Sequence, residues 1–273
     1  MAYLSINQDI NLFVQDWGAG KPVVFIHGWP LSHQCFEYQF TQLPKHGIRC
    51  VGIDLRGFGH SDKPWCDYNY DVFADDLLVV LRKLNLEEVT LVGHSMGGAI
   101  ALRYLVRHFS ERVSKAILVS PAAPRFTQTG GYPYGFTKEQ CNQLMDLCYA
   151  DRPQLLENFG KIFFHTEDAI SPKFADWFHS LGMQASPHAT AMCLMALRDS
   201  DLREEIVHIK VPTFIIHGTE DKICAFSFAE ALHQGIKGST LIPYNKNGHA
   251  PFYDDRKRFN QDLITIVHDK LVR

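Results

Sequence analysis

The sequence predicts an α/β protein: a mostly parallel eight-stranded sheet flanked by helices, with a helical cap inserted after the sixth strand. The main observation is that short apolar runs rich in β-branched residues alternate with amphipathic stretches. Continuous apolar runs are typical of strands buried on both faces of a parallel sheet, and their alternation with helices predicts βαβ units. A second observation is a break of about 85 residues in that alternation, which predicts the insertion.

The elements follow in chain order. Residues 4–17 alternate apolar and polar side chains and predict an antiparallel hairpin at one edge, followed by a glycine-containing turn at 18–20. Buried strands are predicted at 23–26, 50–53, 89–92, 116–119 and 213–216, and a last strand at 239–244. Amphipathic helices are predicted at 36–45, 72–84 and 96–108, with a C-terminal helix at 256–271.

The break in the alternation spans residues 121–205, a segment rich in aromatic residues, methionine and helical pattern. A structureless loop of this length is rare within a compact domain. The segment is therefore expected to form a helical cap, residues 121–205, over a core domain made of residues 1–120 and 206–273.

Composition argues against several classes of protein. The chain has 273 residues, a net charge of −3 and no basic stripe that would indicate nucleic acid or an anionic membrane as a partner. No apolar run approaches the roughly 20 residues of a membrane span, and residues 1–9 do not resemble a signal peptide. The seven cysteines are odd in number and form no C-x-x-C pair, which favours reduced thiols in a cytoplasmic protein.

The motif G-H-S-M-G at residues 93–97 is the strongest indication of function. It follows the apolar run at 89–92 and precedes a helical stretch, which is the strand–turn–helix context of a nucleophile elbow. In such a turn the central side chain, here Ser95, points out of the sheet toward a substrate. The flanking glycines fit because a Cβ would clash in so tight a bend.

A nucleophilic serine needs a base within hydrogen-bond reach, and the base needs an acid that orients it. In elbow proteins these follow the serine in the order acid, then histidine. Asp221 comes just after the strand predicted at 213–216; its neighbour Glu220 is the alternative, and the distance from the strand favours Asp221. His249 lies in a glycine-containing loop after the last strand and is the predicted base.

The oxyanion of a tetrahedral intermediate needs N–H donors. One is predicted to be the backbone N–H of Met96, the residue after the serine. The other is predicted to be the backbone N–H of Trp29, in the loop after the strand at 23–26, because the next residue, Pro30, has no N–H. The Trp29 side chain is also expected to line the acyl pocket and so to bind substrate.

The glycine-rich segment at 54–62 lacks the Gly-Lys-Ser/Thr ending of a phosphate-binding loop. We expect a tight loop at a strand end, in which Asp54 and Arg56 form a local ion pair or a cap. No spacing of histidines or carboxylates indicates a metal site, and no cofactor is expected.

Together these residues predict a serine hydrolase that acts on carboxylic esters. His249 takes the proton of Ser95, which attacks the acyl carbonyl, while Asp221 fixes the tautomer of His249. His249 then activates water to release the acyl group. The expected partner is a small-molecule ester or acyl substrate.

With these motifs in order, the chain resembles the α/β-hydrolase superfamily over nearly its whole length outside the cap. The pair Trp17-Gly18 and the run H-G-W-P-L-S at 27–32 most closely resemble the bacterial cofactor-free haloperoxidases and aryl esterases. The resemblance implies carboxylester hydrolysis. It also implies perhydrolysis, in which peroxide replaces water and forms a peracid that oxidises halide, without haem or metal.

Two other functions stay open from the sequence. The run S-M-G-G at 95–98 is similar to that of C–C bond hydrolases that act on ring-cleavage products. A different class would be a ligand sensor or partner-binding protein that uses the same pocket with little turnover. Haloalkane dehalogenases and epoxide hydrolases have Asp at the nucleophile position, so Ser95 argues against both.

Overall fold

The computed structural model describes residues 2–166 and 170–269 and contains one eight-stranded sheet. Its strands are β1 (Ala2–Ser5), β2 (Asn11–Trp17), β3 (Lys21–Ile26), β4 (Ile48–Ile53), β5 (Val89–His94), β6 (Val113–Val119), β7 (Thr213–Gly218) and β8 (Thr240–Tyr244). They lie in the order β1-β2-β4-β3-β5-β6-β7-β8. The α/β fold with a mostly parallel eight-stranded sheet, predicted from the sequence, is confirmed.

Strand direction follows from the connections. The first two strands form the predicted antiparallel edge hairpin, and β2 also runs antiparallel to β4. The strands from β4 to β8 pair in parallel, because each is reached through a crossover. All six residues of β5 are buried, as a strand covered on both faces requires. The carboxyl ends of β3, β5 and β7 therefore meet at one edge of the sheet.

The sheet is flanked by helices. Within the described chain they are α1 (Glu37–Phe40), α2 (Tyr70–Lys83), α3 (Met96–Arg107), α4 (Lys138–Ala150), α5 (Arg152–Phe163), α6 (Pro172–Met183), α7 (Pro187–Asp199), α8 (Phe226–Gly235), α9 (Pro251–Asp254) and α10 (Arg256–Val267). None of them is both long enough and apolar enough to span a bilayer.

Two predicted helices differ from those observed. The segment predicted as one helix at 36–45 is instead a 3₁₀ turn at 33–36, the four-residue α1 and a second 3₁₀ turn at 43–46. Pro44 ends the regular helix here, because proline lacks an N–H and clashes with the preceding turn. The C-terminal helix, predicted to run to residue 271, ends at Val267, and residues 270 and 271 lie outside the described residues.

The segment predicted as a cap contains α4 to α7, which we call the insertion helices; they lie between β6 and β7. Their starts are set by side-chain caps. Thr137 and Gln140 form a capping box at α4, and serines cap α6 and α7, each followed by proline in the first turn. The start of helix α7 is bonded to the loop after β4, because the Ser186 N–H donates to Gly57 O at 2.8 Å.

Helix α3 packs against the sheet backbone to backbone. A Cβ added at Gly97 would lie 2.2 Å from the carbonyl oxygen of Ile26 and 2.6 Å from that of His27. A Cβ added at Gly93 would lie 2.4 Å from the carbonyl oxygen of Gly97. Both glycines of the G-x-S-x-G motif are therefore required by close approach of main chain to main chain.

This packing predicts that Gly97→Ala lowers the free energy of unfolding by about 3 kcal/mol or more, because the carbonyls that the methyl group meets cannot move aside. The matched control is Gly160→Ala in α5, where the nearest atom to the added Cβ is a Phe178 ring carbon at 3.8 Å. That change should be stabilising by up to about 1 kcal/mol, because alanine is the better helix former. Urea denaturation of both variants measures the difference, and equal losses would contradict the argument.

Candidate active site

Ser95 lies at the sharp turn between β5 and α3. Its φ of 53° and ψ of −121° place it in a backbone region that a residue with a side chain rarely adopts. The turn is held from both sides: the Ser95 N–H donates to Val119 O at 3.0 Å, and its carbonyl oxygen accepts from Gly98 and Ala122 at 2.9 Å each. Such strain costs on the order of 1–3 kcal/mol and persists only where neighbouring contacts enforce it.

Asp221 and His249 lie in contact at the same edge of the sheet. His249 Nδ1 is 2.7 Å from Asp221 Oδ2, and both side chains are fully buried. The other carboxylate oxygen, Oδ1, accepts N–H bonds from Ile223 at 2.8 Å and Cys224 at 2.9 Å. Burial by itself would raise the pKa of Asp221, but the adjacent His249 and the hydrogen bonds from His217 and His249 hold it well below its usual range.

The His249 backbone is held as firmly as its ring. Its N–H donates to the carbonyl oxygen of Phe163, at the end of α5, at 3.0 Å. Its carbonyl oxygen accepts from Nε2 of His94, the residue before Ser95, at 2.9 Å. Nε2 of His249 has no hydrogen-bond partner among the described residues. With Nδ1 turned to Asp221, that nitrogen is the one left to accept a proton.

Glu220, the alternative acid, points elsewhere. Its carboxylate lies 3.3 Å from His165 Nδ1, and its side chain is 52% exposed. Asp221 is therefore the carboxylate of the pair that contacts His249.

The loop after β3 presents its backbone to Ser95. A Cβ added at Gly28 would lie 2.7 Å from the Ser95 Cβ, so the loop passes directly over the serine. The carbonyl oxygen of Gly28 accepts from His27 Nδ1 and from the Leu31 N–H, both at 2.9 Å. In a trans peptide the C=O and the following N–H point in opposite directions. The Trp29 N–H is therefore turned away from the His27 ring.

Met96 begins helix α3, so its N–H has no acceptor within the helix. This N–H also lies at the positive end of the helix dipole. The predicted oxyanion donors, Trp29 and Met96, thus belong to the two segments that pack against each other at Gly97 and Gly28.

A cavity of about 140 Å³ adjoins Ser95. Ser95 and Asn158 supply the polar side chains of its lining; the Trp29 indole N–H is already bonded to Thr190 O at 2.9 Å. Among the described residues that line it there is no charged side chain; they are Trp29, Ser95, Phe126, Phe136, Leu144, Leu155, Asn158, Phe159, Ile162, Leu194, Leu197 and Ile223. Asn158 and Ile162 on α5 are exposed and mark the mouth.

Of the two alternatives predicted for Asp54 and Arg56, the ion pair between them is wrong. Asp54 instead accepts the first N–H of the 3₁₀ turn at 33–36, as a cap does. The Arg56 guanidinium binds both carboxylate oxygens of Asp76 on α2, at 2.5 and 2.7 Å. The Asp54 carboxylate accepts backbone N–H bonds from His33 and His60, at 2.8 Å each, and lies 2.6 Å from His33 Nδ1. The two side chains therefore contact different elements: Arg56 binds α2, and Asp54 connects the loop to the 3₁₀ turn at 33–36.

Three buried histidines near the site were missed by sequence reasoning: His27, His94 and His217. Each lies within one residue of a strand's carboxyl end: His27 directly follows β3, His94 is the last residue of β5, and His217 is the next-to-last residue of β7. Each also precedes a glycine or the serine. That shared position, at strand ends that meet at one edge, is the signal that would have singled them out from the 14 histidines of the chain.

No metal-binding group of three or more histidine, cysteine or carboxylate side chains occurs in residues 2–166 and 170–269.

Residues 21–146 match the family model of the α/β hydrolase fold. A curated relative, AB hydrolase superfamily protein YisY of Bacillus subtilis, is 48% identical over 94% of this chain and 96% of its own length. The chain therefore belongs to the α/β-hydrolase superfamily.

Within that superfamily it is similar to esterases and haloperoxidases. An esterase from Exiguobacterium antarcticum is 44% identical with a TM-score of 0.95, covering 97% of this chain and 98% of that one. A bromoperoxidase from Bacillus anthracis is 34% identical with a TM-score of 0.94, covering 98% and 99%. The protein is a hydrolase of the carboxylesterase-like kind, with haloperoxidases among its relatives.

The buried histidines predict how stability depends on pH. Burial lowers the pKa of His27 to about 4, and burial together with His249 lowers that of His94 well below its usual value. The unfolded chain therefore binds more protons, and the free energy of unfolding falls as pH drops from about 6.5 toward 4. Each such histidine contributes a slope of up to about 1.4 kcal/mol per pH unit.

His94→Gln should flatten this dependence, because glutamine retains an N–H donor for His249 O but does not titrate. Urea denaturation at several pH values between 7.5 and 4.5 measures the slope, with His46→Gln at an exposed position as the matched substitution. A slope as steep in His94→Gln as in the wild type would contradict the prediction.

Proposed function

We propose that this protein is a serine esterase in which Ser95 is the nucleophile, His249 the base and Asp221 the acid that orients it. The observation that carries the proposal is the 2.7 Å contact between His249 Nδ1 and Asp221 Oδ2, with Nε2 left unpartnered among the described residues. It supports the assignment because the strained serine lies at the same sheet edge and lines the apolar cavity.

In the first half-reaction, His249 Nε2 takes the Ser95 proton as Oγ forms a bond to the acyl carbon. The carbonyl π electrons move to oxygen, where the N–H groups of Trp29 and Met96 stabilise the oxyanion. Collapse of the tetrahedral intermediate breaks the ester C–O bond, and His249 returns the proton to the leaving alkoxide. The products are the acyl-enzyme and the free alcohol.

In the second half-reaction, His249 takes a proton from water as the water oxygen attacks the acyl carbon. The Ser95 C–O bond breaks, and the proton on His249 returns to Oγ. Because the pKa of Asp221 is held low, its carboxylate stays ionised and stabilises the imidazolium in both halves.

The insertion helices act in this proposal as a cap. They supply Leu144, Leu155 and Leu194 to the cavity wall, and α7 accepts the Trp29 indole N–H through Thr190. A cavity of about 140 Å³ is close to the ~150 Å³ that holds a benzene-sized group. We infer that the site takes small, uncharged acyl groups.

The similarity to a bromoperoxidase supports perhydrolysis as a side activity. Hydrogen peroxide takes the place of water: its oxygen attacks the acyl-enzyme, its proton passes through His249 to Ser95, and a peracid leaves. The peracid then oxidises halide in solution, so no further group on the protein is required.

The uncharged lining of the cavity argues against C–C bond hydrolysis of ring-cleavage products. A ring-cleavage product of a catechol is a dienoate, and its carboxylate calls for a cation or several donors. The described lining of the cavity contains no cationic side chain. Burial of an unpaired carboxylate costs several kcal/mol, which favours neutral esters over such substrates.

Ser95→Ala should lower kcat for a short aryl ester by at least about 10³-fold while leaving the fold intact, since the nucleophile is lost. Asp221→Asn should lower it by about 10³–10⁴-fold, because His249 loses its orienting acceptor. Glu220→Gln is the matched control and should stay within about twofold. Steady-state kinetics and circular dichroism measure these effects. Wild-type rates in folded Ser95→Ala would overturn the assignment, and negligible wild-type turnover on an ester panel would favour a sensor.

A pair of esters of one shape tests the inferred acyl group. Ethyl levulinate ends in an uncharged methyl ketone, whereas monoethyl succinate has a carboxylate in its place. We expect kcat/KM for the charged ester to be at least about 10²-fold lower, because the lining offers the carboxylate no partner. A pH-stat follows both reactions. Equal rates would contradict this inference, and faster turnover of a ring-cleavage dienoate than of the neutral ester would favour the C–C hydrolase.

A further inference from the structure

Strand β7 carries a buried histidine, His217, that the mechanism above does not use. Its Nε2 lies 2.7 Å from the carbonyl oxygen of Cys224 and 3.3 Å from Oδ2 of Asp221. Its side chain is fully buried, with the edge of the Phe226 ring packed against it at a centroid distance of 5.8 Å.

The contacts of His217 determine which nitrogen carries the proton. Both neighbours of Nε2, a carbonyl and a carboxylate, only accept hydrogen bonds, so Nε2 must carry the hydrogen. Nδ1 has no hydrogen-bond partner among the described residues. His217 is therefore a donor shared between the Cys224 carbonyl and the Asp221 carboxylate.

The two carboxylate oxygens of Asp221 have different hydrogen-bond partners. Oδ1 is bonded to the backbone N–H groups of Ile223 and Cys224. Oδ2 faces two imidazoles, His249 at 2.7 Å and His217 at 3.3 Å. A second donor on Oδ2 stabilises the ionised carboxylate and reduces its strength as an acceptor for the Nδ1 proton of His249.

We propose that His217 is a positioning residue for the reaction. It fixes the Asp221 carboxylate and the loop at 221–224, and through Oδ2 it limits how strongly Asp221 stabilises protonated His249. The inference rests on the proposed function, since it needs His249 to act as the base.

Other titratable groups surround this pair and bear on its pH dependence. His94, at the end of β5, faces both Asp221 and His249, and Asp254, on α9, faces Asp221. The Cys224 thiol also faces Asp221, and burial raises its pKa well above the usual value, so it stays protonated. None of these groups donates to Oδ2 in the described structure.

The test compares two substitutions at one position. His217→Phe removes the donor but retains a flat, buried ring. The acid limb of the kcat/KM profile should then move to higher pH by about 0.5–1 unit, because Asp221 becomes the stronger acceptor and His249 the stronger base. His217→Gln retains an N–H at the reach of Nε2 and should stay within about 0.2 unit of the wild type. A merely structural role would lower kcat or stability without moving the limb.

Two results overturn the proposal: an acid limb in folded His217→Phe that coincides with the wild type, or equal displacement in the Gln and Phe variants. If His217→Phe does not fold, nitrogen-15 NMR of the wild type decides. We expect the His217 signals of an Nε2–H tautomer, and an Nδ1–H tautomer overturns the proposal.

Failure of this inference is separable from failure of the proposed function. Ester turnover by folded Ser95→Ala at the wild-type rate overturns the proposed function, whatever the His217 variants do. If Ser95→Ala and Asp221→Asn are inactive and the acid limb of the kcat/KM profile of His217→Phe coincides with that of the wild type, only the proposed role of His217 is overturned.

Discussion

The site depends on one contact, the approach of helix α3 to strand β3 with only the hydrogens of Gly97 between their main chains. This contact sets the depth at which α3 starts, and hence the sharpness of the turn that carries Ser95. It also places the Met96 N–H beside the loop that carries the Trp29 N–H. A larger residue at Gly97 would separate the helix from the strand and so move Ser95 and the Met96 N–H away from the loop that carries the Trp29 N–H.

The strands and the edge that carries the chemistry could be predicted from the sequence, because each buried strand is a continuous apolar run of recognisable length. Ser95, Asp221 and His249 lie in the turns and loops that follow predicted strands, so their neighbourhood follows from the rule that parallel strands end at one edge. The local sequence does not separate Asp221 from Glu220 by more than their distance from the strand, because adjacent residues differ mainly in side-chain direction. Glu220 contacts His165, which comes from a segment distant in sequence. The local sequence pattern around Glu220 cannot predict such a tertiary contact.

Other features depend on packing between distant segments. Arg56 pairs with Asp76, twenty residues away, because α2 passes within its reach, whereas proximity in sequence favours Asp54. The helix predicted at 36–45 breaks because Pro44 and the contacts of the 3₁₀ turns outweigh its apolar period. The size of the cavity is set by side chains from three of the insertion helices, α4, α5 and α7, and from the core, and no single segment of sequence encodes it.

The hydrogen bond from the His249 N–H to Phe163 O joins the base to helix α5, which also carries Asn158 and Ile162 at the cavity mouth. A movement of α5 that widens the mouth must stretch or break this bond and release one of the restraints on the imidazole. In the proposed mechanism, access to the cavity and alignment of His249 would then be coupled in opposite senses, because a wider mouth would go with a less restrained imidazole. The protein would then exclude bulk water from an aligned base by the same movement that encloses the substrate.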